Sequence, residues 1–277
     1  MKEKRFQLLI LSPLKRTWGI KMKQWTAFIK KEYLEQLRTG KLLVLLILFC
    51  LFGIMNPAIA KLTPWMMEIL SSQMEESGMI VTGVKVDAMT SWVQFFKNMP
   101  MALIVFMIMF SGSFTTEYQK GTLVNVVTKG MKRYKILAAK MGIMMMIWTL
   151  GCLVSFGITF GYNAFFWDNS VVHHIGFSVF CFYLLGLWLT ADLILASVLC
   201  QSASAVMIVT GVMFLVSYLI GMIPVVSEYL PTYLLRSGEL LTGAKSAGGY
   251  CISVAVTIFF IVLEAVLSTV IFNKRNL

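Results

Sequence analysis

The sequence predicts an all-α, polytopic membrane protein with six transmembrane helices, both termini cytoplasmic, and additional amphipathic helices at the interface. Three observations predict it. Hydrophobic residues make up 58% of the 277 residues and charged ones 13%, against roughly 45–50% and about 25% in soluble domains. A soluble core of this size cannot hide so much apolar surface, whereas a bilayer can. Six segments also reach the length of about 20 mostly apolar residues that a span requires. Finally, the lysines and arginines crowd into alternate connecting segments, the asymmetry that sets orientation in a membrane.

In chain order, residues 1–41 form a basic segment. Met1 to Lys21 reads as a solvated tail, and Met22 offers a second candidate start. Trp25, Phe28, Ile29, Tyr33 and Leu37 then recur at spacings near three and four with lysines between them. That pattern predicts an amphipathic helix lying in the inner interface. The first span is read at 42–60, bent at Gly53 and at Asn56-Pro57. It begins too far along the chain, is too long, and lacks the small-residue cleavage site of a signal peptide.

The outer loop 61–95 is long for a connector. Thr63-Pro64 reads as an N-cap with proline at the first helical position, placing Trp65, Met66, Ile69, Leu70 and Met74 on one face. A second short helix starts at Asp87 and presents Trp92, Phe95, Phe96 and Met99. The remaining spans are read at 96–114, 136–160, 175–199, 203–226 and 250–272. Between the last two, in 227–249, Pro231, Tyr233, Leu234 and Leu235 suggest a short helix dipping back into the outer leaflet, and 273–277 is a cytoplasmic tail.

Before the first span there are 11 basic and three acidic residues. The segment between spans two and three carries Lys120, Lys129, Lys132, Arg133, Lys135 and Lys140 against Glu117, and Lys274 and Arg275 follow the last span. These segments hold 19 of the 24 basic residues, while the alternate loops hold five basic and seven acidic ones. Both termini and the 115–135 loop are thereby assigned to the cytoplasm. The net charge of +11 becomes a topology signal rather than a nucleic-acid surface. Cys50, Cys152, Cys181, Cys200 and Cys251 all sit in apolar runs without a CxxC pair, as small hydrophobes do.

The 115–135 segment is the most informative. Leu123, Val126, Val127 and Met131 share one helical face, with Gly130 as the stop. The helix is too basic to insert and too apolar to float, so a protein partner or the lipid surface is expected to cover that face. Glu117, Gly121, Thr122 and Leu123, followed by Arg133, Ile136 and Leu137 and by Lys140 entering the third span, resemble the membrane subunits of type 2 ABC exporters. Within that family they are most similar to the six-helix permeases of bacterial two-gene systems. The resemblance covers Met22 to Leu277 and departs at Lys129-Gly130, where many members carry a proline. It implies that Glu117, Gly121, Thr122, Leu123, Val126, Val127 and Arg133 belong to a coupling helix docking into a groove of an ATPase subunit. It further implies a second permease, either another copy (a homodimer) or a relative.

No GxxxxGK[ST] loop is present to cradle a nucleotide. Gly243-Ala244-Lys245-Ser246 lacks the glycine before the lysine and lies on the outer side. The chain is therefore expected to be no enzyme and to bind no cofactor, with ATP and magnesium on the partner ATPase. Asp192 and Glu264 sit inside spans, where ionisable groups are costly and functional by default. With Lys140 they form a network bracing the helices, take part in substrate passage and gating, or snorkel towards the inner face. His173 and His174, with only Asp168 nearby, fall short of a zinc site's three or four ligands and read as interfacial residues. The 20 methionines read as lipid contact and packing rather than metal handling. Gly151, Gly157 and Gly161 permit close helix approach.

The function read from all this is ATP-driven export of a hydrophobic or amphipathic substrate, such as a lipid, peptide or drug-like molecule, across the cell membrane with a separate ATPase subunit. One alternative is an ion-coupled carrier using Asp192 and Glu264, although no internal repeat of the kind such carriers show is visible. Another is a membrane-embedded enzyme built on Glu75, Glu76 and the two histidines. Those residues fall in outer loops, whereas such chemistry needs its groups converging in one site.

Overall fold

The computed structural model describes residues 24–75, 86–243 and 245–275, with the backbone alone at 70–75. The basic tail, Met22, Glu76 and the rest of 76–85 lie outside the described residues, as do the side chains of Leu70, Met74 and Glu75. The described chain is helical, with six helices long and apolar enough to cross a membrane. They are α2 (Lys41–Glu75), α3 (Ala88–Gln119), α5 (Arg133–Phe166), α6 (Ile175–Leu199), α7 (Ala203–Ile220) and α9 (Gly248–Lys274). A helix α1 over 24–38 precedes them, and α4 (Thr122–Thr128) and α8 (Pro224–Ser227) are short connectors. Below, the end of the bundle that carries α4 is the α4 end, and the opposite one the far end.

Contrary to the sequence reading, α2 does not stop at Ala60 for a new helix to begin at Thr63. It continues unbroken through Pro57 and Pro64, about 50 Å at 1.5 Å per residue. The Thr63 hydroxyl donates back to the Ile59 carbonyl at 2.8 Å, a bond made inside a helix rather than at its start. Each proline lacks an N–H and frees a carbonyl four residues earlier. For Pro57 that carbonyl belongs to Gly53, and the Thr159 hydroxyl of α5 donates to it at 3.1 Å. A neighbouring helix thus replaces the missing donor, the usual remedy for proline in a membrane. The same junction is an amide ladder. Asn98 Nδ2 donates to Asn56 Oδ1 at 2.8 Å, and Asn56 Nδ2 to Thr159 Oγ1 at 3.1 Å, joining α3, α2 and α5.

Asp87 N-caps α3, its carboxylate accepting from the Thr90 N–H at 3.2 Å, but the helix it starts is the second span itself, not a separate short one. The core is centred on Trp148 of α5, which lies 5.7 Å from the Phe49 ring and 5.4 Å from Phe106 and donates its indole N–H to the Tyr183 carbonyl at 3.0 Å. Gly186 lets α6 approach: a Cβ there would stand 2.2 Å from the Trp148 ring.

Helix α6 is buried along almost its whole length. The segment after α8, Pro231–Thr242, is a 3₁₀ helix with Tyr233, Leu234, Leu240 and Leu241 buried. It packs on α6, α9, α3 and α7, at the place where the sequence suggests a short helix. By contrast α7 buries only Val206 and Thr210.

Candidate functional site

Helix α4 is framed by two glycines in the left-handed region, Gly121 (φ 66°) and Gly130 (φ 85°). At its C-terminus the Gly130 N–H donates to the Val127 carbonyl and the Met131 N–H to that of Val126, the paired bonds of a Schellman stop. Leu123 is fully buried, and Val126, Val127 and Met131 pack partly buried against the chain's own core. The apolar face that the sequence assigned to a partner or to lipid is thus largely covered from within. The face left open is the other one, with Thr122, Val124, Asn125, Thr128 and Lys129 exposed. Among the residues implied for coupling, Thr122 holds the preceding turn by donating its hydroxyl to the Glu117 carbonyl at 3.1 Å.

Beneath α4 lies a cluster of charges. Lys140 Nζ stands 2.9 Å from Glu32 Oε2 and 3.0 Å from Glu117 Oε2, with both the Lys140 and Glu32 side chains 3% exposed. It also donates to the Ser113 carbonyl at 3.3 Å. Lys31 bonds Glu117 and reaches Glu32 at 3.0 Å and Glu35 at 2.9 Å. Burial opposes the Lys31 charge, but the hydrogen bonds to Glu117 and Glu35 and the charges of Glu32 and Glu117 together outweigh it and raise its pKa above the ordinary lysine value. The three carboxylates lie close enough to ligate a metal. Two ammonium groups already supply their counter-charge, and a cation would have to displace them.

This placement corrects one expectation. Lys140 does not join Asp192 and Glu264. Helix α1 folds onto α3 and α5, bringing Glu32 to Lys140 across 108 residues of sequence. Asp192 and Glu264 meet each other across α6 and α9, and the Trp188 indole donates to Glu264 Oε1 at 2.9 Å. The signal available in the sequence was the spacing of Phe28, Glu32 and Gln36, four apart, which puts all three on the buried face of α1.

Arg133 also turns inward. Its guanidinium donates to the Phe272 carbonyl at 2.7 Å and to the Asn273 and Arg275 carbonyls, closing the C-terminus of α9. Arg275 in turn donates to the Val198 and Cys200 carbonyls at the end of α6 and lies 4.4 Å over the Tyr118 ring. A cation at a helix C-terminus satisfies orphan carbonyls and complements the helix dipole. Trp25 Nε1 donates to the Lys135 carbonyl at 3.1 Å, and Gln119 Nε2 to that of Gln201 at 2.8 Å. Six helices (α1, α3, α4, α5, α6 and α9) are thereby tied into one block.

Beside α4, a hollow of about 260 Å³ opens between Ala27, Phe28, Val126, Lys129 and Met131. At the far end, His173 donates its backbone N–H to the Leu241 carbonyl at 3.1 Å, and His174 takes a left-handed turn (φ 49°) at the start of α6. Paired ammoniums and carboxylates tie the helices around α4 together.

Residues 26–277 match the family model described as ABC-2 family transporter protein. The chain is also 23% identical over 263 residues to YxlG, an uncharacterized transmembrane protein of Bacillus subtilis (strain 168), an alignment covering 91% of this chain and 98% of that protein.

Proposed function

Because the chain belongs to the ABC-2 transporter family, a multi-pass permease component in the cell membrane, we propose that the exposed face of α4 docks an ATPase subunit. The family normally works with such a subunit. The observation that carries the reading is the division of α4 into two faces. Leu123 anchors it to the bundle, while Val124, Asn125, Thr128 and Lys129 remain exposed. A short helix locked at both ends by left-handed glycines and seated on an ion-paired block transmits a push without yielding.

On this reading the α4 end faces the cytoplasm with both termini, in keeping with the distribution of lysine and arginine. ATP and magnesium reside on the partner, and this chain catalyses nothing itself. Two permeases, identical or related, pair to form the pathway, and the substrate is a hydrophobic or amphipathic molecule moved outward. The bare apolar walls of α2, α7 and α9 suit both a lipid surround and a second permease.

The test is purification of the tagged chain from its host in mild detergent, wild type beside Val124→Asp/Lys129→Glu. An ATPase chain is expected with wild type and lost from the variant, while the variant's melting temperature is unchanged. Retention of the ATPase by the variant sinks this docking face. If no ATPase accompanies either protein, the reading yields to a carrier working through Asp192 and Glu264.

A further inference from the structure

Between α3, α6 and α7 lies a crevice of about 270 Å³. Met107 of α3, Leu189 of α6, Phe214 of α7 and Leu235 of the 3₁₀ helix give it apolar walls, and Thr210 of α7 brings its single hydroxyl. That hydroxyl is buried and has no hydrogen-bond partner. Ser91, Ser113 and Ser155 are likewise without one, but none of them lines this crevice, and five other hydroxyls in the spans are bonded. Thr149, Thr190, Ser197, Thr257 and Thr269 all donate to the carbonyl four residues earlier. Thr210 does not make the corresponding bond, so the residue lines the crevice with a hydrogen bond still unused.

Depth narrows the choice of occupant. Thr210 is seven residues from the start of α7 and ten from its end, about 10 Å and 15 Å along the axis at 1.5 Å per residue. That is near the middle of a hydrocarbon layer about 30 Å thick, where lipid tails offer only methylene groups. Bulk lipid therefore fills the crevice without satisfying Thr210. The volume lies just under the range of about 300–1,000 Å³ usual for ligand pockets, which suits a single chain rather than a whole two-tailed lipid.

We infer that this crevice binds a membrane-dissolved amphiphile: an apolar chain carrying one neutral hydrogen-bonding group, an alcohol, ester or amide, held by Thr210. The walls take the chain by shape, and the hydroxyl selects molecules that can exchange a hydrogen bond in a dry site. Binding here needs neither a nucleotide nor a partner chain, so it stands or falls separately from the docking of an ATPase on α4.

The test uses the full chain in nanodiscs and two photoreactive probes, a diazirine-bearing decanol and the matching diazirine-bearing decane. Labelled peptides are mapped by mass spectrometry. The alcohol is expected to label α3, α6 and α7 at the crevice, in competition with plain decanol. Thr210→Val keeps the shape and removes the hydroxyl, and it should weaken the alcohol's labelling about fivefold, the loss of one net hydrogen bond, while leaving the decane's unchanged. Gly211→Leu projects a side chain where a Cβ meets nothing within 4 Å, and it should block both probes. Equal labelling by alcohol and alkane in the wild type, or an alcohol signal indifferent to Thr210→Val, overturns the assignment. Circular dichroism and elution profile check that both variants keep the wild-type fold.

Discussion

At the α4 end, helices are joined by side chains that carry charge. Lys140 bridges α5 to Glu32 of α1 and Glu117 of α3, and two arginines close the ends of α9 and α6. Helix α7 is held in another way. It buries Val206 and Thr210 alone, and Ile208, Val212, Leu215 and Leu219 stand exposed. In water the bare helix would be the anomaly. In a bilayer the costs reverse: apolar side chains rest in lipid without penalty, and the buried charges demand compensation. The difference sets an ion-paired α4 end against an α7 that leaves most of its surface to apolar surroundings.

The comparison is broken most directly at Lys140. Lys140→Met leaves Glu32 and Glu117 buried with Lys31 as their remaining cation, itself 48% exposed. Removing one partner of a buried ion pair typically costs about 3–5 kcal/mol. The expected outcome is a large fall in the melting temperature of the detergent-solubilised protein, partly restored when Glu32→Gln is added. Val212→Ala on α7 serves as the reference and should change little. If Lys140→Met melts like wild type, the charges do not hold the block together, and the contrast with α7 loses its basis.

A sharper version lies within one helix. Gly151, Gly157 and Gly161 look alike in the sequence, each able to admit a close neighbour. The structure separates them. A Cβ on Gly151 would stand 2.3 Å from the buried Phe49 ring, whereas Gly157 and Gly161 have nothing within 4 Å. Gly151→Ala is expected to cost about 1–3 kcal/mol by overpacking. Gly157→Ala, in open space, should be neutral or stabilise by up to about 1 kcal/mol through helix propensity. Thermal melts of the two variants in parallel decide it, and equal shifts would contradict the packing of α2 on α5.

What the sequence discloses follows the range of the interactions. The six spans are legible because about 20 apolar residues in a row is a local property, and the stop at Gly130 is legible because a left-handed glycine after a short helix is local too. Lys140's partner was not: Glu32 lies 108 positions away, and the nearer candidates on paper, Asp192 and Glu264, turned out to face one another. The continuation of α2 past Pro57 was missed for a related reason. Proline is read as a breaker from its own chemistry, while the Thr159 hydroxyl that replaces its missing donor comes from another helix. The inward turn of Leu123 was equally hidden, since an apolar face shows that something covers it without showing what.

A smaller loss than at Lys140 is expected at the amide ladder, which joins α2, α3 and α5 without charge. Asn98, Asn56 and Thr159 link three helices by neutral hydrogen bonds, a weaker joint than the ion pairs of the α4 end. Interhelical hydrogen bonds in membranes average about 0.6 kcal/mol and reach about 1.7, because polar groups in a partly unfolded membrane protein find other partners. Asn98→Ala should therefore lower the melting temperature slightly, well short of Lys140→Met. Thr159→Val should cost more than Asn98→Ala, since it removes both the acceptor for Asn56 and the donor that serves the Gly53 carbonyl freed by Pro57. The order of the two melts is the informative result. If Asn98→Ala proves the more damaging, the ladder rather than the proline repair is what holds α2 to its neighbours.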